Sequence, residues 1–252
     1  MDAIVAALAD QHVELAGLLA GRDEGDWQRP TPCEGWTVAD VVLHLAQTDA
    51  IAIASARGTL AAPLTELARD DLGRATTVDE SADLAVARER GRPGPELFER
   101  WTTGAAELRK ALSECDPSAR VLWVTGELSA RTLATTRLAE TWIHTGDVAA
   151  AFDRTLAPTD RLQHIARLAW RTLPYAFARG DRKLRGPVAF ELRGPGGDAW
   201  DFVPDEEPLT VIRGDLVELC EVAARRVDPR RTGLRGTGPD ATAVLELVRT
   251  YA

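Results

Sequence analysis

A chain of 252 residues, 45% apolar and 27% charged, has the composition of an ordinary globular protein with one large or two small domains. Its net charge of -9 excludes a phosphate-tracking face, so neither nucleic acid nor an anionic membrane surface is an expected partner. Cys33, Cys115 and Cys220 have no framework spacing, the N-terminal stretch lacks a basic leader and contains Asp10 and Glu14, and no run approaches the roughly 20 apolar residues of a membrane span; the expected location is the cytoplasm.

In chain order, Ile4, Leu8, Leu15, Leu18 and Leu19 have helical spacing, and Gly21 ends that helix. The loop from Arg22 to Trp36 contains Pro30, Pro32 and Gly35. Thr37 and Asp40 then form a T-x-x-D cap for a helix to about Arg57. A linker over 58–77 leads to a helical stretch near 79–90, broken by Gly91-Arg92-Pro93-Gly94-Pro95. Pro95 suits the first turn of a helix over 96–113, a loop carries Trp123 and Gly126, and a long helix spans about 129–152. Long helices joined by loops imply a four-helix bundle over 1–157.

The pattern changes after Pro158. A helix over 160–178 is followed by alternating runs at 187–193 and 198–203, joined through Gly194, Gly196 and Gly197 in a hairpin turn. A third apolar run at 209–213 leads to helices over 215–226 and 240–251. Residues 158–252 thus read as a small α+β domain, and the whole chain as α+β, mainly α.

Glu140 and His144 are four residues apart, so their side chains share one face of a helix. Asp147 lies one turn further, placed to accept the second ring N–H of His144. His44 flanks the stripe of Val38, Val41 and Leu45 on its own helix. Two imidazoles and a carboxylate suit a divalent cation, zinc first, with a position left open for water or substrate. The same residues also fit a surface Glu–His hydrogen bond and a structural histidine, and spacing leaves both readings open.

The segments TPCEGWTVADVVLHL and RLAETWIHTGDV resemble the mycothiol-dependent maleylpyruvate isomerase family, within the DinB-like metal-binding superfamily. Cys33, Gly35, Trp36 and His44 match one motif; Glu140, His144 and Asp147 match the other. The stretch VIRGDLVELCEVAARR with TGLRGTG is similar to the family's small domain, which is itself similar to sterol-carrier folds. The resemblance implies that His44, Glu140 and His144 bind the ion. It also implies that mycothiol, a low-molecular-weight thiol, serves as co-substrate in an isomerase or transferase. An arginine of the small domain serves the active site in such isomerases, a role that falls here on Arg213, Arg226 or Arg235.

His12, one turn after Leu8, fits either a core-edge histidine or a pocket acid/base. Trp36, Trp123 and Trp142 fit either core or pocket wall. The expected partner is a small-molecule substrate, and the expected assembly is a monomer or homodimer. A thiol-independent metal-dependent lyase, cyclase or hydrolase is an alternative, as is a non-catalytic small-molecule binding module.

Overall fold

The computed structural model describes residues 1–61, 77–124 and 126–250, which divide into two compact units, Met1–Leu156 and Ala157–Ala252. In the first unit the long helices are α1 (Asp2–Leu19), α3 (Val38–Ala56), α5 (Gly94–Glu114) and α6 (Ala130–Ala151). Each packs on two of the others: α1 on α5 and α6, and α3 on α5 and α6. Two shorter helices join them, α2 (Glu24–Trp27) and α4 (Val78–Glu89), the latter against α3. Most of the linker expected over 58–77 lies outside the described residues.

The starts of α3 and α6 are set by side chains. Thr37 Oγ1 accepts from the Asp40 N–H, and the Asp40 carboxylate accepts from the Thr37 N–H at 2.9 Å. Ser129 caps α6 in the same way, through the Thr132 N–H. Each such cap contributes about 1 kcal/mol. Between the helices, Leu15, Leu19, Trp27, Leu43, Leu45, Leu97 and Trp101 are buried in one core. Each stabilises the fold by about 1.5–3 kcal/mol relative to exposure.

Helix α3 is the one described helix long and apolar enough to cross a membrane, and 72% of that stretch is buried within the protein. It is therefore a core helix, longer in apolar character than its sequence suggested. The expected loop around Trp123 is instead a hairpin of β1 (Arg120–Trp123) and β2 (Gly126–Ser129), paired in antiparallel register.

In the second unit, β3 (Val188–Arg193), β4 (Ala199–Phe202), β5 (Thr210–Asp215) and β6 (Arg235–Thr237) form one sheet in the order β4-β3-β5-β6. β3 and β5 are parallel, and the other pairs are antiparallel. The helix expected over 160–178 is two, α7 (Leu162–Arg171) and α8 (Leu173–Arg179). Pro174 lacks an N–H and cannot continue α7, so the chain restarts at Thr172. α7 packs on β3 and on α9 (Leu216–Ala223). The last helix, α10 (Ala241–Leu247), is shorter than expected because Val248 is extended and the Thr250 N–H is bound by the Ala223 carbonyl. The observed class is α+β, mainly α.

Candidate metal centre

The site is built on α6, a helix buried on nearly every side. Its buried threonines tolerate this because each hydroxyl donates to a carbonyl four residues back. Thr141 bonds to Arg137 O at 2.8 Å, and Thr145 to Thr141 O at 2.6 Å. A polar stripe of Arg137, Glu140, His144 and Asp147 runs along this buried helix.

The structure brings His44, Glu140 and His144 together. One donor atom from each lies within 4.8 Å of the other two, and all three residues are buried. Glu140 Oε2 is 3.6 Å from His44 Nε2 and 3.7 Å from His144 Nε2. Tetrahedral ligands with arms of about 2.0–2.1 Å sit about 3.3 Å apart, so the two carboxylate–imidazole distances lie within a few tenths of an ångström of what a zinc-sized cation needs.

Donor chemistry fits too. Burial lowers the His44 pKa, outweighing its interaction with Glu140, so its ring is neutral with a lone pair to offer. Burial alone would raise the Glu140 pKa, but His44, His144 and Arg137 outweigh it and keep the carboxylate ionised. His144 Nδ1–H donates to Asp147 Oδ2 at 3.0 Å, which leaves Nε2 as the free lone pair on the Glu140 side.

Two residues of the preceding loop reach this cluster. Gly35 takes φ +76°, where a side chain would be strained, and the turn is tied by the Thr31 N–H and Trp36 N–H bonding to Trp36 O and Cys33 O. The turn presents Cys33, whose thiol donates to Asp147 Oδ2 at 3.2 Å, the oxygen that also serves His144. It also presents Trp36, whose ring centroid lies 5.1 Å from that of His44 and 6.3 Å, nearly parallel, from that of His144. The Trp36 Nε1–H donates to Asp83 of α4 at 2.7 Å. Among the described residues, Trp123 and Trp142 make no ring contact with the triad; Trp123 is buried in β1 and Trp142 is half-buried on α6.

His12 has a different setting. Arg109 Nη1 donates to its Nδ1 at 2.7 Å, and its ring meets Trp101 edge-on at 5.7 Å. Burial, with help from Arg109 and Arg137, lowers its pKa to about 3. It is thus a neutral ring near pH 7.

Arg213, Arg226 and Arg235 belong to the second unit. Arg213 on β5 pairs with Glu191 at 2.6 and 3.1 Å. Arg226 and Arg235 are exposed and bond backbone carbonyls at Ala224 and Leu234.

Sequence reasoning missed one buried ion pair. Arg137 and Asp49 meet at 3.0 Å with 1% and 0% of their side chains exposed, and Arg137 also donates to Thr48 Oγ1. Burial raises the Asp49 pKa against the pull of Arg137. The available signal was Arg137 itself, three residues before Glu140 and on the same stripe. Only the fold shows the bond of Cys33 to Asp147.

Residues 8–149 match the family described as the mycothiol maleylpyruvate isomerase N-terminal domain. Uncharacterised proteins from two strains of Mycobacterium tuberculosis are each 31% identical over 251 residues, 98% of this chain and 95% of the relative. Two crystal structures of the mycothiol-dependent maleylpyruvate isomerase, one of a histidine-to-alanine mutant, share the fold with a TM-score of 0.60. They are 19% (the mutant) and 18% identical, over 94% of this chain and 92% of theirs.

Proposed function

The chain belongs to the mycothiol maleylpyruvate isomerase N-terminal domain family, and on that premise we propose a divalent-metal-dependent enzyme. It acts on a small organic molecule with a low-molecular-weight thiol, mycothiol, as co-substrate, in isomerisation or thiol transfer. The observation that supports this best is the gathering of three buried donor atoms from two helices within 4.8 Å. Buried polar groups are costly without partners, so such a cluster is kept for a ligand more readily than for stability.

His44, Glu140 and His144 would hold the ion, zinc first. When bound, the cation supplies positive charge that stabilises a neighbouring thiolate or polarises an oxygen. A free thiol, with pKa about 8.5, is only about 3% ionised at pH 7, and a drop of about two units makes most of it thiolate. A less basic sulfur attacks less well, with a Brønsted slope of about 0.4–0.5, so the net gain is severalfold. Holding thiol and electrophile in register offers more, up to about 7–11 kcal/mol.

The protein's own groups have separable tasks in this reading. Asp147 fixes the His144 tautomer. Arg137 helps keep Glu140 anionic. Trp36, pinned by Asp83, covers one side of both imidazoles and limits water there.

The test combines elemental analysis with thermal unfolding. The expected result is bound divalent metal, a melting temperature raised by mycothiol but not by its sugar portion alone, and loss of metal, thiol response and activity in His44→Ala. Full activity in metal-stripped protein or in His44→Ala would overturn the proposal. Retained metal without any thiol response would assign the site to a thiol-independent lyase, cyclase or hydrolase.

A further inference from the structure

The loop Thr31-Pro32-Cys33-Glu34-Gly35-Trp36 holds its cysteine firmly. The Cys33 N–H donates to Thr31 Oγ1 at 3.2 Å, and the Cys33 carbonyl accepts from the Trp36 N–H at 3.0 Å. Both backbone groups of the residue are thus committed. An isolated antiparallel bridge between Pro30 and Thr37 closes the loop at its base. The position of the sulfur against α6 is therefore set by the backbone.

There the sulfur meets a second donor set. One donor atom from each of Cys33, His144 and Asp147 lies within 4.8 Å of the other two. Asp147 Oδ2 is 3.2 Å from Cys33 Sγ and 3.0 Å from His144 Nδ1. A tetrahedral cation with bonds of about 2.0–2.3 Å holds nitrogen, oxygen and sulfur ligands about 3.3–3.5 Å apart. Both separations are within a few tenths of an ångström of that. His144 and Asp147 are buried and Cys33 is half-buried, so the sulfur is the end that an ion arriving from solvent meets first.

The chemistry of this set differs from that of the triad. A thiolate beside an imidazole and a carboxylate favours a thiophilic ion over magnesium or calcium. The set shares His144 with the triad and uses neither His44 nor Glu140.

We propose that Cys33, His144 and Asp147 form a second cation site, which takes a thiophilic divalent ion. On binding, the thiol proton leaves for solvent and Sγ bonds the ion. The Nδ1 proton exchanges through solvent for one on Nε2, the nitrogen on the Glu140 side, and Nδ1 bonds the ion in its place. A neutral imidazole has one lone pair to give, so an ion here and an ion on the triad compete for His144.

Titration of the full, metal-stripped chain with cadmium, followed by ultraviolet thiolate-to-cadmium absorption, tests this. The expected result is a saturable band in the wild type and in Glu140→Gln, a substitution of equal size that breaks the triad alone. Cys33→Ser should abolish the band, although Cys115 and Cys220 remain. His144→Gln keeps the thiol and should weaken cadmium by about tenfold or more. No band in the wild type, a band that survives Cys33→Ser, a band lost in Glu140→Gln, or unchanged affinity in His144→Gln would overturn the proposal. Metal held by the triad without any sulfur band would sink this site and spare the reading of the triad.

Discussion

In the first unit Arg137 and Asp49 pair with 1% and 0% of their side chains exposed; in the second, Arg213 and Glu191 pair at 49% and 42%. Both pairs are close, at 3.0 and 2.6 Å. Their surroundings make them physically different. Water screens the second pair and would solvate either partner left alone, so its worth is about 0–1 kcal/mol. The first pair has given up its hydration, and each charge depends on the other. The same contrast separates the buried triad from the arginines of the second unit. In the bundle interior a charge must rely on named neighbours, and there the protein has gathered Arg137, Glu140, His144 and Asp147 on one helix.

Breaking the buried pair tests that contrast most severely. Asp49→Ala removes the ion-pair partner of buried Arg137 and should cost about 3–5 kcal/mol in urea unfolding at pH 7. Asp49→Asn keeps a hydrogen-bond acceptor and should cost less.

His12 gives the next largest effect, through pH. In the unfolded chain its ring takes a proton near pH 6.5, and in the folded chain only near 3. Between those values the unfolded state binds more protons, so this contribution to stability is present above 6.5 and lost as pH falls. From pH 7 to pH 5 the loss should be about 2 kcal/mol. His12→Gln should flatten that part of the stability profile, and an unchanged slope would mean the ring is not held neutral.

Asp147→Ala should weaken metal binding by about 10–100-fold, read by competition with a chelating dye, while His44, Glu140 and His144 remain. The smallest effect belongs to the exposed pair: Glu191→Ala should change the unfolding free energy by no more than about 1 kcal/mol. A loss comparable to that of Asp49→Ala would break the comparison.

Much of this arrangement was legible in the chain because helices write their faces locally. Glu140, His144 and Asp147 recur at helical spacing, and the Thr37–Asp40 cap forms as read. Arg137 to Asp49 spans 88 residues, so no local pattern pairs them. The β1–β2 hairpin was hidden by strands of four residues, too short to show alternation, and β6 by having three. Pro174 misled differently: proline fits a first turn as well as it ends a helix, so one helix and two gave the same pattern.

One oxygen, Asp147 Oδ2, accepts from both His144 and Cys33. Its electron density is divided between an imidazole and a thiol that hangs from a half-exposed loop. Replacing that sulfur with an apolar group would hand the imidazole a larger share and make its far nitrogen more electron-rich. At the proposed metal centre, ligand strength would thus be tuned from the loop, like a dial, without altering any of the three proposed donors.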